Sequence, residues 1–270
     1  MLRRSQLYVP GNNERMIRKS ISLHSDSVIL DLEDSVPAEE KETARDLVGK
    51  MASELDWGKH ELCVRTNSSL TSWGSADLQR LRAVERIDSL VLPKAEGDLS
   101  TIYKLTGKRL IPIVESAKGL LGVETIVDSD GVDAVSYGAA DFALSIGGSV
   151  TGYLENAYVK TKIVVAARSR GIDPIDNVFF DLNDLTGFRR QALQARALGF
   201  AGIQVIHPSQ IPVANQVFSP SREDLAWARR VTNEYEKASR RSIGALSLDG
   251  KLIDEVHYKI AKRMLEGASG

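Results

Sequence analysis

The sequence predicts an α/β protein: a (β/α)8 barrel of the TIM type with a helical tail at its C-terminus. Three observations carry this. Eight short apolar runs each end in a polar residue or a turn. Helix-period patterns alternate with these runs, which is the signature of parallel strands joined by crossover helices. The chain has 270 residues, close to the roughly 250 typical of one such barrel.

The elements follow in order. Gln6 to Val9 leads into Pro10-Gly11, and Asn12 to His24 reads as the first helix. Ser27 to Leu30 meets Asp31-Leu32-Glu33-Asp34; a helix over Pro37 to Lys50 follows, with Ser35 as its start signal. Leu62 to Val64 meets Arg65 ahead of a helix over Thr71 to Val84, and Ser89 to Pro93 meets Lys94 ahead of Gly97 to Thr106. Leu110 to Val114 stops at Glu115, followed by a helix over Ala117 to Val127. Val132 to Ser136 opens into Tyr137-Gly138-Ala139-Ala140-Asp141, and the next helix spans Leu154 to Ser169. Asn177 to Phe180 reads as the seventh strand, meeting Asp181 before a helix over Asp184 to Leu198. Gly202 to Ile206 is the eighth and meets His207. Gly171 and Gly199 stand where helix ends want a left-handed residue. Residues 1–220 therefore form the barrel. Residues 221–270 add a helix over Glu223 to Lys237, a glycine-bearing loop or hairpin over Arg240 to Lys251, and a final amphipathic helix over Asp254 to Leu265. This tail exceeds what a barrel needs. It is expected to act as a lid or to reach a neighbour, not to fold as an independent domain.

Composition narrows the function classes. A net charge of −1 argues against a nucleic-acid or anionic-membrane partner. Hydrophobic residues at 43% and charged residues at 26% are ordinary for a globular protein. The one cysteine, Cys63, has no internal disulfide partner. No apolar signal core follows Met1-Leu2-Arg3-Arg4, and no stretch approaches the ~20 apolar residues of a membrane helix. A cytoplasmic setting is expected.

A parallel barrel gathers the carboxyl ends of its strands on one face, where active sites are built. That topology allows Glu33, Asp34, Arg65, Lys94, Glu115, Asp141 and His207 to converge. Glu115 and Asp141, at the ends of neighbouring strands, suit a hard divalent cation such as Mg²⁺. Asp141 also reads as a plain helix cap. Backbone N–H groups of Gly138-Ala139-Ala140 are placed to meet a substrate carboxylate. Arg65 reads either as a fork for a carboxylate or as an ion-pair partner of Glu33 or Asp34. Lys94 needs a lowered pKa to form a Schiff base. His207 reads equally as a local hydrogen-bonding residue beside Pro208-Ser209.

Taken together the motifs resemble the citrate lyase beta-subunit group, with its malyl-CoA, citramalyl-CoA and citryl-CoA lyases. The resemblance runs from Arg4 to about Leu265. It rests on Tyr8-Val9-Pro10-Gly11, on Val28 through Val36 with Lys41 and Ala44-Arg45, and on Val64-Arg65-Thr66-Asn67. Leu92-Pro93-Lys94, Glu115-Ser116-Ala117-Lys118-Gly119, Gly138-Ala139-Ala140-Asp141, Ile206-His207-Pro208-Ser209-Gln210 and Leu248-Asp249-Gly250-Lys251 follow in the same order.

The resemblance implies Mg²⁺-dependent (or Mn²⁺-dependent) carbon–carbon bond cleavage or formation between a 2-oxo acid and a coenzyme A thioester enolate. It makes Glu115 and Asp141 the metal ligands. Arg65 binds the acid's oxygens and offsets enolate charge, and Glu33 and Asp34 hold waters bound to the ion. Asp249 is the acid/base, lent by the neighbouring subunit of a homotrimer, and Tyr8 and Lys19 contact the nucleotide of coenzyme A. Three positions depart from the pattern: Ala140 replaces a glutamate, Asn13 replaces a basic residue with Arg15 nearby, and Lys160 stands for an arginine. The expected activity is a lyase releasing acetyl-CoA and a 2-oxo acid. Its rivals are a malate synthase-type condensation with thioester hydrolysis, a lyase subunit using an acyl-carrier partner, and a relative that keeps only metabolite binding.

Overall fold

The structure is a computed structural model and describes residues 2–154 and 156–267. The chain divides into two compact units, Met1–Asn215 and Gln216–Gly270.

The first unit is a closed barrel of eight parallel strands in sequential order. These are β1 (Ser5–Pro10), β2 (Ser27–Asp31), β3 (Glu61–Arg65), β4 (Ser89–Leu92), β5 (Arg109–Val114), β6 (Ala134–Tyr137), β7 (Asp173–Asp176) and β8 (Gly202–Val205). Closure comes from β8 pairing with β1, Gln6 opposite Gln204. Between them run α1 (Glu14–Ser20), α2 (Lys41–Glu54), α3 (Ser72–Leu81), α4 (Ser100–Thr106), α5 (Ala117–Leu121), α6 (Val123–Val127), α7 (Ala139–Ser145), α8 (Val150–Leu154), α9 (Ala157–Ser169), α10 (Leu185–Leu198) and α11 (Gln210–Val217). Ile29, Cys63, Val91, Ile111, Ile113, Ala134 and Ile175 fill the barrel interior. Bulky branched side chains pack that space because every strand turns alternate residues inward.

The barrel is as expected, with local corrections. The seventh strand is Asp173–Asp176, not Asn177–Phe180. The aromatic run looked more strand-like, but Phe180 is exposed while Pro174 and Ile175 are buried. Pro174 lacks an N–H yet still serves the sheet, its carbonyl accepting from Ala201 N at 2.8 Å. The fifth helical stretch breaks at Gly122 into α5 and α6. Ser35 does not start the second helix; its own N–H donates to Asp31 Oδ2. Helix α11 had no expectation. Gly171 and Gly199 adopt positive φ at the ends of α9 and α10, as the sequence requires.

The second unit contains α12 (Arg222–Ser239), a hairpin of β9 (Leu246–Leu248) and β10 (Lys251–Ile253), and α13 (Glu255–Gly267). Ser221 and Asp224 close a reciprocal capping box at the start of α12. Ala228, Val231, Ile253 and Ala261 form its small core. The hairpin pairs Leu248 with Lys251, so Asp249-Gly250 is a two-residue turn with φ of 53° and 75°. Two positive φ values match the twist of the strands, which is why Asp-Gly suits this turn.

Candidate active site

The carboxyl ends of β1, β2, β3, β5, β6, β7 and β8 open onto one cleft of about 450 Å³. Tyr8, Asp34, Arg65, Glu115, Gly138, Ala139, Ala140 and Asp141 all line it.

Arg65 anchors one side. Its Nε and Nη2 donate to the two oxygens of Asp31 at 2.6 and 2.8 Å, the planar fork at work. Its Nη1 meets Glu33 Oε2 and Asp34 Oδ2, each at 3.1 Å. The guanidinium lies 4.9 Å over the Tyr8 ring. Arg65 thus forms the ion pairs with Glu33 and Asp34 that the sequence offered, and turns its planar fork on a third carboxylate, Asp31. That residue had no role at sequence level, although the register sets Asp31 directly opposite Arg65. Burial works against the Asp31 carboxylate, but the hydrogen bonds and charge of Arg65, with hydrogen bonds from the Ser35 side chain and the Glu33 backbone N–H, bring it below its ordinary range. Lys41 fixes the loop after β2 by donating to the carbonyls of Leu32 and Glu33 at 2.7 and 2.6 Å.

Glu115 follows β5 and is only 5% exposed. Its Oε1 accepts from Lys94 N at 2.6 Å. Lys94 itself holds φ at 53°, a conformation costly for a residue with a Cβ. Its ammonium stands 3.7 Å from Glu33 Oε1. Burial, then the charges of Glu33 and Asp141, push Glu115 up to about 8. Burial likewise pushes Glu33 up to about 7, against the pull of Arg65. Glu115 sits so close to Gly138 that a Cβ there would lie 2.6 Å from Oε2.

Asp141 lies in the first turn of α7, whose N-cap, Gly138, makes no side-chain cap. Asp141 is therefore not the plain cap. Among the described residues no cluster of three or more His, Cys, Asp or Glu forms a ready metal cage. The donor set nevertheless suits a hard cation. Mg²⁺ needs few protein carboxylates and completes its shell with other oxygens. A buried glutamate with raised proton affinity beside a second carboxylate is the charge deficit such an ion relieves.

Lys19 lines a neighbouring depression of about 370 Å³ with Arg15, Met16, Leu23 and Pro208, and Tyr8, Met16 and Ile206 line both spaces. His207 bonds locally to Ser209 Oγ at 2.8 Å. Lys160 pairs with Asp176 at 2.7 Å, both fully buried. Asp249 belongs to the second unit. It is exposed at the hairpin tip and pairs with Arg230 at 2.7 Å.

A model of the HpcH/HpaI aldolase/citrate lyase family matches residues 4–208. A protein named citramalyl-CoA lyase, mitochondrial, from Rattus norvegicus is 36% identical over 97% of this chain and 85% of its own. One named L-malyl-CoA/beta-methylmalyl-CoA lyase, from Rhodobacter capsulatus, is 36% identical over 99% of this chain and 95% of its own. The crystal structure of CitE from Mycobacterium tuberculosis in complex with magnesium, acetoacetate and coenzyme A superposes with a TM-score of 0.83. It is 31% identical and covers 98% of both chains.

Proposed function

The chain belongs to the HpcH/HpaI aldolase/citrate lyase family, and on that premise we propose that it is a Mg²⁺-dependent acyl-CoA lyase. It cleaves a 3-hydroxyacyl-CoA of the citramalyl, malyl or citryl type to acetyl-CoA and a 2-oxo acid. One observation carries the reading: the proton-avid Glu115 shares a cleft with Asp141 and a clamped Arg65. The names of the rat and Rhodobacter relatives and the contents of the CitE crystal support it.

Glu115 and Asp141 hold the cation. A bound Mg²⁺ supplies Lewis-acid polarisation of the oxo-acid carbonyl and neutralises charge on its carboxylate. Arg65, fixed by Asp31, meets the negative charge that grows on the thioester oxygen as the carbon–carbon bond breaks. Glu33 and Asp34 complete the polar wall around it. The N–H groups of Gly138-Ala139-Ala140 orient the acid's carboxylate. Lys19 contacts the nucleotide end of coenzyme A; Tyr8, its ring 4.9 Å from the Arg65 guanidinium, stands at the thioester end instead, which corrects the expectation for it. Asp249, lent by a neighbouring subunit of a homotrimer, moves the proton: the 3-hydroxyl loses one, and the enolate carbon gains one to become the methyl of acetyl-CoA.

The test is a panel of malyl-, citramalyl- and citryl-CoA with Mg²⁺, reading both 2-oxo acid and free coenzyme A. A 2-oxo acid with acetyl-CoA is expected, abolished by chelation and restored by Mg²⁺ or Mn²⁺. Free coenzyme A in place of acetyl-CoA indicates the malate synthase-type reaction. No turnover of free thioesters points to an acyl-carrier partner. Full activity in excess chelator sinks the metal assignment. Subunit sharing is tested by mixing inactive Arg65→Ala and Asp249→Ala chains after unfolding. Random assembly of a closed ring makes roughly a quarter of the sites intact, whereas a site complete within one chain regains none. Among the described residues no helix is long and apolar enough to cross a membrane. The proposed compartment is the cytoplasm; cell fractionation tests it against the mitochondrion that names the rat relative.

A further inference from the structure

Among the described residues, Lys94 is the one residue of the barrel other than glycine that holds a positive φ, at 53°. Ser242 and Asp249 share the sign but belong to the second unit. Pro93 and Lys94 form a turn directly after β4. A left-handed backbone suits glycine, which has no Cβ to crowd the next carbonyl; a lysine there is strained. Strained residues persist where the surrounding structure fixes them, and they cluster at functional sites.

The turn sets two successive N–H groups against β5. Lys94 N donates to Glu115 Oε1 at 2.6 Å, and Ala95 N donates to the Ile113 carbonyl at 3.3 Å. Glycine would present the same donors without strain. The backbone task alone therefore does not call for a lysine. Its side chain has a second task. The ammonium stands 3.7 Å from Glu33 Oε1, while Glu33 Oε2 meets Arg65 Nη1 at 3.1 Å. Glu33 is thus bracketed by two cations. The charges of Glu33 and Glu115 oppose each other. Lys94 touches both carboxylates, one with its N–H and the other with its ammonium.

We propose that Lys94 is a positioning residue: its N–H fixes the Glu115 carboxylate, and its ammonium holds Glu33 against Arg65 and away from the cation that Glu115 and Asp141 take. Removing the ammonium leaves Glu33 with Arg65 Nη1, which also serves Asp34 at 3.1 Å. A carboxylate freed in this way turns to the strongest positive charge nearby, a divalent ion. One more anionic ligand tightens the hold on that ion and blunts its power to polarise a carbonyl. Lys94 thereby trades metal affinity for turnover. This inference rests on the metal pair of the lyase reading.

The experiment compares wild type with two variants. Lys94→Met keeps the strained backbone and the apolar stem; Lys94→Gly keeps the N–H and removes the strain. The Lys94 side chain is more than half exposed, so neither opens a cavity in the core. Mg²⁺ affinity is read by calorimetry on the metal-free protein, and kcat and KM on the thioester that wild type cleaves. Both variants should bind Mg²⁺ about threefold or more tightly. Both should lose kcat about tenfold or more at saturating Mg²⁺, with KM changed by less than about threefold. Melting temperature should hold in Lys94→Met and hold or rise in Lys94→Gly. Lys94→Arg should restore most of kcat, because a contact at 3.7 Å needs the charge and not a particular donor geometry. Unchanged Mg²⁺ affinity or unchanged kcat in both variants overturns the inference and leaves the lyase reading standing. Weaker Mg²⁺ binding with a clear drop in melting temperature in both means that Lys94 serves the fold, and overturns it too. A wild type that binds no Mg²⁺ overturns the inference and the lyase reading together. A wild type that binds Mg²⁺ but cleaves no thioester sinks the lyase reading alone, and the variants' Mg²⁺ affinities still decide whether Lys94 restrains Glu33.

Discussion

The two ends of this barrel bury the same kind of residue and treat it oppositely. At the closed end, Glu61 is fully buried and receives Arg3 bidentately at 2.9 and 2.7 Å, with Ser27 Oγ at 2.7 Å and Ser89 Oγ at 2.9 Å. Burial opposes its charge, but Arg3 and the two serines outweigh it, and the carboxyl lies below its ordinary range. At the open end, Glu115 has one N–H donor, two carboxylate neighbours and a raised pKa. One glutamate is complete within the fold and the other is incomplete. Burial alone therefore does not separate the two ends; the balance of donors and charges around each carboxylate does.

Two substitutions that differ only in which end they strike test the contrast most strongly. Glu115→Gln should cut turnover on the order of 100- to 1000-fold, the scale of losing a preorganised charge-stabilising element. It should leave melting of the metal-free protein equal or higher. Glu61→Gln should do the reverse, because it leaves the Arg3 guanidinium buried and under-compensated. A loss of about 3 kcal/mol or more in stability is expected, with turnover per folded molecule little changed. Denaturant titration and steady-state kinetics on both proteins check this. Equal stability losses at the two ends would erase the distinction.

Glycines sharpen the same comparison with a smaller effect. A Cβ on Gly138 would meet the Glu115 side chain, at 2.6 and 2.8 Å. A Cβ on Gly202 would run into the backbone of Arg3. Gly138→Ala should therefore displace the Glu115 carboxylate while the barrel stands and, if Glu115 holds the cation as proposed, cost about 100-fold in rate, as misplacement by an ångström does. Gly202→Ala should impair folding, since the obstacle there cannot rotate away. Soluble yield, melting temperature and kcat/KM separate the outcomes. A folded, fully active Gly138→Ala protein would show that Glu115 needs no fixed position.

Much of this was legible in the chain, for physical reasons. Strand ends announce themselves when an apolar run stops at a charge, which is how Glu115, Asp141, Arg65, Glu33 and Asp34 were found. Asp31 carries no signal of its own in the chain because it stands inside the same acidic stretch as Glu33 and Asp34, and only the register across β2 and β3 singles it out. The seventh strand is hard to place from sequence because Asp173 and Pro174 look like a turn, whereas Val178-Phe179-Phe180 looks like sheet; burial favours the former. Helix α11 was hidden by Pro212 near its start, although proline is tolerated in a first turn.

Arginine gives a narrower test. Arg65→Lys keeps the charge but cannot hold Asp31 with two bonds and still extend Nη1 toward Glu33 and Asp34. A fall in kcat/KM of more than tenfold, about 1.4 kcal/mol of transition-state stabilisation, is expected. Stability should change less than in Arg3→Lys, where the lost fork sits wholly within the closed end. Near-normal kinetics for Arg65→Lys would reduce Arg65 to an ion-pair partner of Asp31.

The smallest effect is the dependence on pH, and it has opposite signs at the two ends. Glu115, raised from 4.5 to about 8, and Glu33, raised from 4.5 to about 7, keep protons in the folded state that the unfolded chain has already released. Where the folded state binds more protons, stability falls as pH rises. The open end should therefore lose stability from about pH 4.5 up to about 8. Glu61, held below its ordinary range, contributes stability above its unfolded pKa that is lost only in acid. Melting of the metal-free protein should thus decline by a few degrees between about pH 5.5 and 8.5. Glu115→Gln should flatten that decline. Saturating Mg²⁺ should also flatten it, since a cation favours the deprotonated carboxylates, and Mg²⁺ affinity should rise with pH by up to about tenfold per unit for each proton released. Calorimetry in two buffers of different ionisation enthalpy counts those protons. A metal-free protein whose melting stays level or climbs over that range would mean that Glu115 is already compensated, like Glu61, and the contrast between the two ends would collapse.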